Sequence, residues 1–266
     1  MIMMQAYYNL KKKPFSKDIP PQDLLITEAG AELTQRLHHI KEHRGIMLLT
    51  GPSGVGKTAQ LRAFVATLNE NLYKYFYLPL STVNILDFYR QICSKLGGCV
   101  PYRKTQLFFS IQNSIREYVE NRKKIPVIIF DEAHLFINEN FYELQIITNF
   151  QMDSVDPAIF ILSGQPHLRD RLLRPIHQSF HQRICLKFHL CPLSRDETNM
   201  YIEHHLKLAG FSGSLFNQNA ISALYQVSTG LPRVINNLAT KTLTIGALDK
   251  KNTLTDEEVY RASKEL

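Results

Sequence analysis

The run GPSGVGKT at residues 51–58 fits the pattern GxxxxGK[ST] at every fixed position. Gly51, Gly54 and Gly56 let a backbone turn tightly, so that its N–H groups point at an anion. Pro52, Ser53 and Val55 complete the loop, and Ala59 carries it into a helical pattern. A helix opening near Lys57 adds the positive end of its dipole. In such a loop Lys57 meets the β- and γ-phosphates, while the Thr58 hydroxyl ligates Mg²⁺. The apolar run before the loop and the helical pattern after it separate a phosphate loop from a chance glycine-rich turn. The chemistry is recognition of a nucleoside triphosphate.

A second constellation lies 74 residues after Lys57, where PVIIF ends in Asp131-Glu132. Asp131 is placed to hold the Mg²⁺ shell, and Glu132 to polarise an attacking water. Ser163 and Gln165 close a third apolar run, AIFILSGQP. A polar group there can touch both γ-phosphate and water, although an ordinary strand-end turn explains the pair equally well. Arg169, Arg171 and Arg174 fit a solvated basic helix face. Arg183 differs, because it directly precedes an apolar run and is held at a fixed position. Arg233, in GLPR, opens a later helix from which it could swing onto the γ-phosphate.

These groups need strands and helices to position them. Strands are expected at 46–50, 75–80, 126–130, 158–163 and 184–190, and helices near 57–69, 84–97, 104–122 and 139–150. Three of the strands are continuously apolar, as strands covered on both faces should be. Strand–helix alternation implies a parallel α/β sheet. After residue 191 only amphipathic helices follow, over 194–209, 217–228, 232–248 and 255–264, the last opened by a Thr255/Glu258 capping box. The expected architecture is therefore a nucleotide-binding α/β domain over 1–191, with 1–45 as an N-terminal segment and first helix. A small all-α lid over 192–266 completes it.

Composition narrows the class. The chain has 266 residues, 44% of them apolar, 21% charged, and four cysteines. It is neither disordered nor a disulfide scaffold. The longest apolar runs are far short of the roughly twenty residues of a bilayer span, so no membrane association is expected and the cytoplasm is the natural compartment. Charge is divided unevenly: residues 1–135 carry 18 Lys/Arg against 11 Asp/Glu, and residues 136–266 carry 13 of each. The whole excess of +7 sits in the first half, which suits a polyanionic partner. Mildly basic proteins are common, and charge alone does not decide for nucleic acid.

Taken together, the blocks resemble an AAA+ ATPase of the ExeA/GspA type, related to the transposition ATPases TnsC, TniB and MuB. The resemblance rests on YYNLKKKPF (7–15), GPSGVGKT, FDEAH, ILSGQPHL, FHQRICLKFHLCPLS and STGLPRVINNLA, which occur in the family's order over nearly the full chain. It implies an αβα sandwich with a five-stranded parallel sheet followed by the lid, and ATP with Mg²⁺ as ligands. It makes Gln165 the sensor-1 residue, with Ser163 behind it. Arg183 becomes an arginine finger for ATP on a neighbouring subunit, and Arg233 becomes sensor 2. The Tyr7–Phe15 segment would pack near adenine, or else simply in the core. Secretion members continue into a membrane span and a peptidoglycan-binding region, whereas this sequence stops at Leu266. That favours the transposition form, in which an ATP-dependent ring or filament on duplex DNA serves a transposase. The alternatives are a secretion or envelope ATPase, and a slow nucleotide-switched adaptor.

The segment LGGCVPYRKTQ (96–106) interrupts one helix with two glycines and a proline and begins another at Arg103-Lys104. This places the pair on an exposed loop at a helix N-terminus, where phosphate is favoured. Transposition relatives line their central channel from the same region, so Arg103 and Lys104 are the expected DNA contacts.

Overall fold

A computed structural model describes residues 2–79 and 84–265, with the side chains of Ile2 and Met3 excepted. Its five strands are β1 (Gly45–Thr50), β2 (Tyr73–Leu78), β3 (Ile125–Phe130), β4 (Ile159–Gly164) and β5 (Ile184–His189). Leu80, expected at the end of the second strand, lies outside the described residues. The sheet runs β2-β3-β4-β1-β5 with all pairings parallel. Position in this order explains the sequence patterns. The central strands β1 and β4 are buried at every residue, and β3 at all but its first. Covered on both faces, they are continuously apolar. The edge strand β5 alternates buried with exposed, and β2 keeps only Phe76 and Leu78 buried.

The chain forms two compact units. One of them, residues 30–52 and 57–190, contains the sheet. It also holds most of α2 (Glu28–His43), α3 (Lys57–Ala66), α4 (Ile85–Lys95), α5 (Lys104–Glu120), α6 (Asn138–Ile147), α7 (Pro166–Leu172) and α8 (Gln178–Gln182). Its core joins alternate residues of the strands to Phe88, Ile92, Ile111, Ile115, Phe141 and Phe180 from the helices. Parallel strands end at one edge of the sheet, where ligands of open α/β folds bind. Register brings the functional strand ends level: Thr50 pairs with Gly164, Leu49 with Ser163, and Phe130 with Leu162.

The other unit comprises residues 1–29, the loop tip 53–56 and residues 191–266. It is built on α1 (Ile2–Tyr7), α9 (Arg195–Leu208), α10 (Gln218–Ser228), α11 (Pro232–Leu248) and α12 (Asp256–Ser263). The Thr255/Glu258 box opens α12, with Thr255 N–H donating to Glu258 Oε2 at 2.8 Å. Ser194 and Glu197 form another box on α9. Residues 1–29 correct the expected division of the chain. Met4, Tyr8, Leu10 and Phe15 need an apolar partner, and they are buried in the core of the C-terminal helices. Lys11 N–H donates to the Ala209 carbonyl at 2.8 Å, and Tyr8 O–H to the Lys251 carbonyl at 3.1 Å. Among the described residues no helix is long and apolar enough to cross a membrane.

Candidate nucleotide site

Asp131, at the end of β3, is the hub of the site. It is buried, and its N–H donates to the Leu78 carbonyl at 3.1 Å. At least four donors converge on its carboxylate. The hydroxyls of Thr58 and Tyr77 each donate to Oδ2 at 2.9 Å. On Oδ1, Ser163 O–H arrives at 2.8 Å and the Glu132 N–H at 3.0 Å. The hydroxyl of Thr58 beside this carboxylate is a hard-oxygen donor pair, the type Mg²⁺ prefers. Burial, and then the hydrogen bond to Asp131, push the Tyr77 phenol well above its ordinary pKa. It therefore remains a donor near neutral pH.

Lys57 is buried at the start of α3, and its ammonium donates to the carbonyls of Gly51 at 2.8 Å and Pro52 at 3.0 Å. The loop before it bends through Gly54 (φ 81°) and Gly56 (φ 107°), a left-handed backbone that strains any other residue. Among the described residues, apart from its chain neighbours, no atom lies within 4 Å of where a Gly56 side chain would begin. Such a loop, with its lysine at the base and a helix start behind it, fits a triphosphate.

Glu132 follows Asp131 in a left-handed conformation (φ 54°, ψ 33°), and its side chain is half-exposed. Its Oε2 lies 3.2 Å from Nδ1 of His134, without the geometry of a hydrogen bond. Burial holds the His134 pKa below its ordinary value, so the ring is neutral near pH 7. Gly164 lets the neighbouring β4 end approach this segment: a Cβ there would lie 2.7 Å from Leu168 and 3.1 Å from the His134 nitrogen.

An AAA domain matches residues 39–172, half of the chain and all of the groups just described. The chain belongs to the AAA family. With its phosphate loop and acidic strand end in place, the site has the residue set with which an AAA domain holds a nucleoside triphosphate. This AAA protein is 29% identical over 246 residues to General secretion pathway protein A of Aeromonas hydrophila, covering 91% of this chain and 44% of that one. The chain thus spans less than half the length of that relative. Among solved structures it resembles Cdc6p from Pyrobaculum aerophilum, with TM-score 0.73, 14% identity, and coverage of 94% of this chain and 70% of that one. The Aeropyrum pernix ORC1 protein in complex with DNA gives 0.68, 16%, 94% and 68%. These likenesses establish the fold.

The remaining expected residues of the AAA protein are dispersed. Ser163 is fully buried against Asp131, whereas Gln165 is part-exposed at the N-cap of α7. Arg183, at the end of α8, is ion-paired with Asp153. In the helical unit, exposed Arg233 donates from Nη1 to Ser53 Oγ at 3.2 Å, and its N–H to the Gly54 carbonyl at 3.2 Å. The basic pair at 103–104 divides. Arg103 is exposed, but the Lys104 ammonium is ion-paired with Glu143 and lies 5.6 Å from the Tyr89 ring centre. Lys104 is half-exposed as well, but its ammonium is engaged by the Glu143 carboxylate, a nearly buried charge that requires a partner.

Sequence reading missed two further groups. Tyr77 gave one signal, a polar tip on the penultimate residue of a strand. Arg171 is no solvated face residue. Its Nη1 donates to the His134 carbonyl and its Nη2 to the Phe136 carbonyl, both at 2.8 Å, so it clamps the segment that follows Glu132.

Proposed function

We propose that the protein is a regulatory ATPase that self-associates when ATP is bound, assembles on duplex DNA, and presents that DNA to a transposase. The observation that carries the ATPase part is the convergence of Thr58, Ser163 and Tyr77 on Asp131 beside Lys57. In this reading the backbone of Gly51 to Gly56 and the Lys57 ammonium hold the phosphates of ATP. Thr58 and Asp131 hold Mg²⁺. Magnesium, when bound, offsets charge on the phosphate oxygens. Glu132 orients the attacking water and accepts its proton. Gln165 senses the γ-phosphate from the neighbouring strand end. Arg183 acts on ATP bound to an adjoining copy, and Arg233 serves as sensor 2.

The DNA part is supported by the +7 excess confined to residues 1–135 and by relatives solved with DNA. A second reading, an ATPase of a secretion system, is favoured by the 29% identity to the secretion pathway protein. Two measurements test these assignments. Lys57→Ala should abolish ATP binding, while Glu132→Gln should retain binding and stop phosphate release. Undiminished release by Glu132→Gln would remove Glu132 from the mechanism. Fluorescence anisotropy of labelled duplex DNA, with and without ATP, tests the partner. Binding that requires ATP supports the transposition reading, and absence of binding in both conditions supports the secretion reading.

A further inference from the structure

Thr58, Ser163 and Glu132 approach Asp131 from segments that directly build the nucleotide site. Tyr77 does not. It belongs to the edge strand β2, 54 residues before Asp131, and is paired in register with Ile129 of β3. Its hydroxyl nonetheless reaches past the end of that strand to share Oδ2 with Thr58.

A carboxylate presents about four lone-pair positions. The hydroxyls of Thr58 and Tyr77 approach Oδ2, and the Ser163 hydroxyl and Glu132 N–H approach Oδ1, so the carboxylate is held from both sides. Ser163 is fully buried and the Glu132 donor is backbone, so the Oδ1 side is rigid. On the Oδ2 side Thr58 is the residue that meets the metal, leaving Tyr77 to set where that oxygen points. Tyr77 is 37% exposed, yet its phenol is held by this one carboxylate. A phenylalanine at this position would fill the same space without the bond.

We propose that Tyr77 is a positioning residue, which orients Asp131 Oδ2 toward the Thr58 hydroxyl and thereby tightens the site's hold on Mg²⁺–nucleotide. Without the phenol, Oδ2 loses one of the donors that set its position, and its alignment with the Thr58 hydroxyl is less tightly held. The phosphate loop itself is unaltered. Loss of Tyr77 therefore weakens the metal-dependent part of binding and spares the metal-free part.

The proposal rests on the nucleotide-site reading above, and the test separates the two. Affinity for a non-hydrolysable ATP analogue is measured by calorimetry in Mg²⁺ and in EDTA, for the parent and for Tyr77→Phe. The ratio of the two affinities should fall about three- to tenfold in the variant, the worth of one hydrogen bond. Affinity in EDTA should be unchanged. A residue needed only to pack β2 would alter neither quantity, because the ring is retained. Thermal denaturation of both proteins confirms that they are compared folded. Tyr77→His, which keeps a donor of shorter reach, should give an intermediate ratio. An unchanged ratio in Tyr77→Phe would overturn the role of Tyr77. Failure of the parent to bind the analogue at all would instead overturn the nucleotide-site reading.

Discussion

The Arg183 guanidinium is ion-paired with the carboxylate of Asp153 within one copy of the chain. Asp153 ends a turn in which Gln151, Met152 and Asp153 have φ of 48°, 56° and 68°. Left-handed backbone costs about 1–2 kcal/mol per non-glycine residue, so three in a row form an expensive support for one carboxylate. Met152, at the centre of the turn, is 97% exposed. An arginine that acts on a neighbouring copy has first to leave Asp153.

Two variants follow from that pairing. Arg183→Ala should bind ATP as the parent does and lose turnover by about 10³-fold or more, the effect of removing an arginine finger. Asp153→Asn weakens the hold on Arg183 and should raise turnover at protein concentrations where assembly is incomplete. Mixtures of Arg183→Ala with Glu132→Gln should regain activity, since each supplies what the other lacks. Phosphate release that stays flat across all mixing ratios, in mixtures shown to co-assemble, would place Arg183 in cis.

Arg171 gives a prediction of another kind. Its guanidinium satisfies the carbonyls of His134 and Phe136 and lies 5.3 Å from the Phe141 ring centre. Arg171→Ala leaves those carbonyls without this donor, at a cost of about 1–3 kcal/mol. Denaturant midpoints should report that loss. Because the clamped segment follows Glu132, kcat should fall while ATP affinity is kept. Arg171→Lys offers a single point charge in place of a planar fork, and should recover only part of both effects.

How far these relationships were legible depends on their range along the chain. The phosphate loop is a local pattern, and the three central strands declare themselves because both of their faces are covered. The environment of Asp131 is not local. Thr58 and Tyr77 lie 73 and 54 residues away, and only the order β2-β3-β4-β1-β5 brings them to one carboxylate. Arg171 shares its pattern with Arg169 and Arg174, so nothing in the spacing distinguishes the clamp from a solvated arginine. Residues 1–29 misled for a related reason. Nearness in sequence to β1 suggested one unit, whereas Met4, Tyr8 and Phe15 find their apolar partners more than 180 residues later in chain order, among residues 202–262.

The helical unit should be sensitive to acid. His205 is buried between Phe15, stacked at 5.3 Å, and Tyr201 at 4.3 Å, and burial lowers its pKa to about 4. The unfolded chain binds this proton near pH 6.5. Between those values the unfolded state holds more protons, so stability is complete above about pH 6.5 and falls as pH drops toward 4. At pH 5 the loss from this one group is about 2 kcal/mol. Denaturation midpoints at pH 7 and pH 5 measure it. His205→Gln should narrow the difference between the two midpoints, even where it lowers both. An equal pH dependence in parent and variant would assign the acid sensitivity elsewhere.

The basic pair at the start of α5 should respond unequally to substitution. Arg103 is exposed beside Tyr102, which is 87% exposed, at the N-terminus of α5. Lys104 is engaged with Glu143, whose other oxygen accepts the Tyr89 hydroxyl at 2.6 Å. A phosphate contact made by one arginine contributes about one unit to the slope of log affinity against log salt, whatever the DNA sequence. Arg103→Ala should therefore lower duplex affinity evenly across sequences and flatten that slope by about one. Lys104→Ala should leave the slope unchanged and act on stability instead, lowering it by about 1–3 kcal/mol as the Glu143 carboxylate loses a charged donor. DNA titrations at several salt concentrations, with ATP present, read the first effect, and denaturant midpoints read the second. An equal fall in salt slope from both variants would mean that DNA draws Lys104 away from Glu143. Equal affinity and slope for Arg103→Ala and the parent would remove this helix start from the DNA surface.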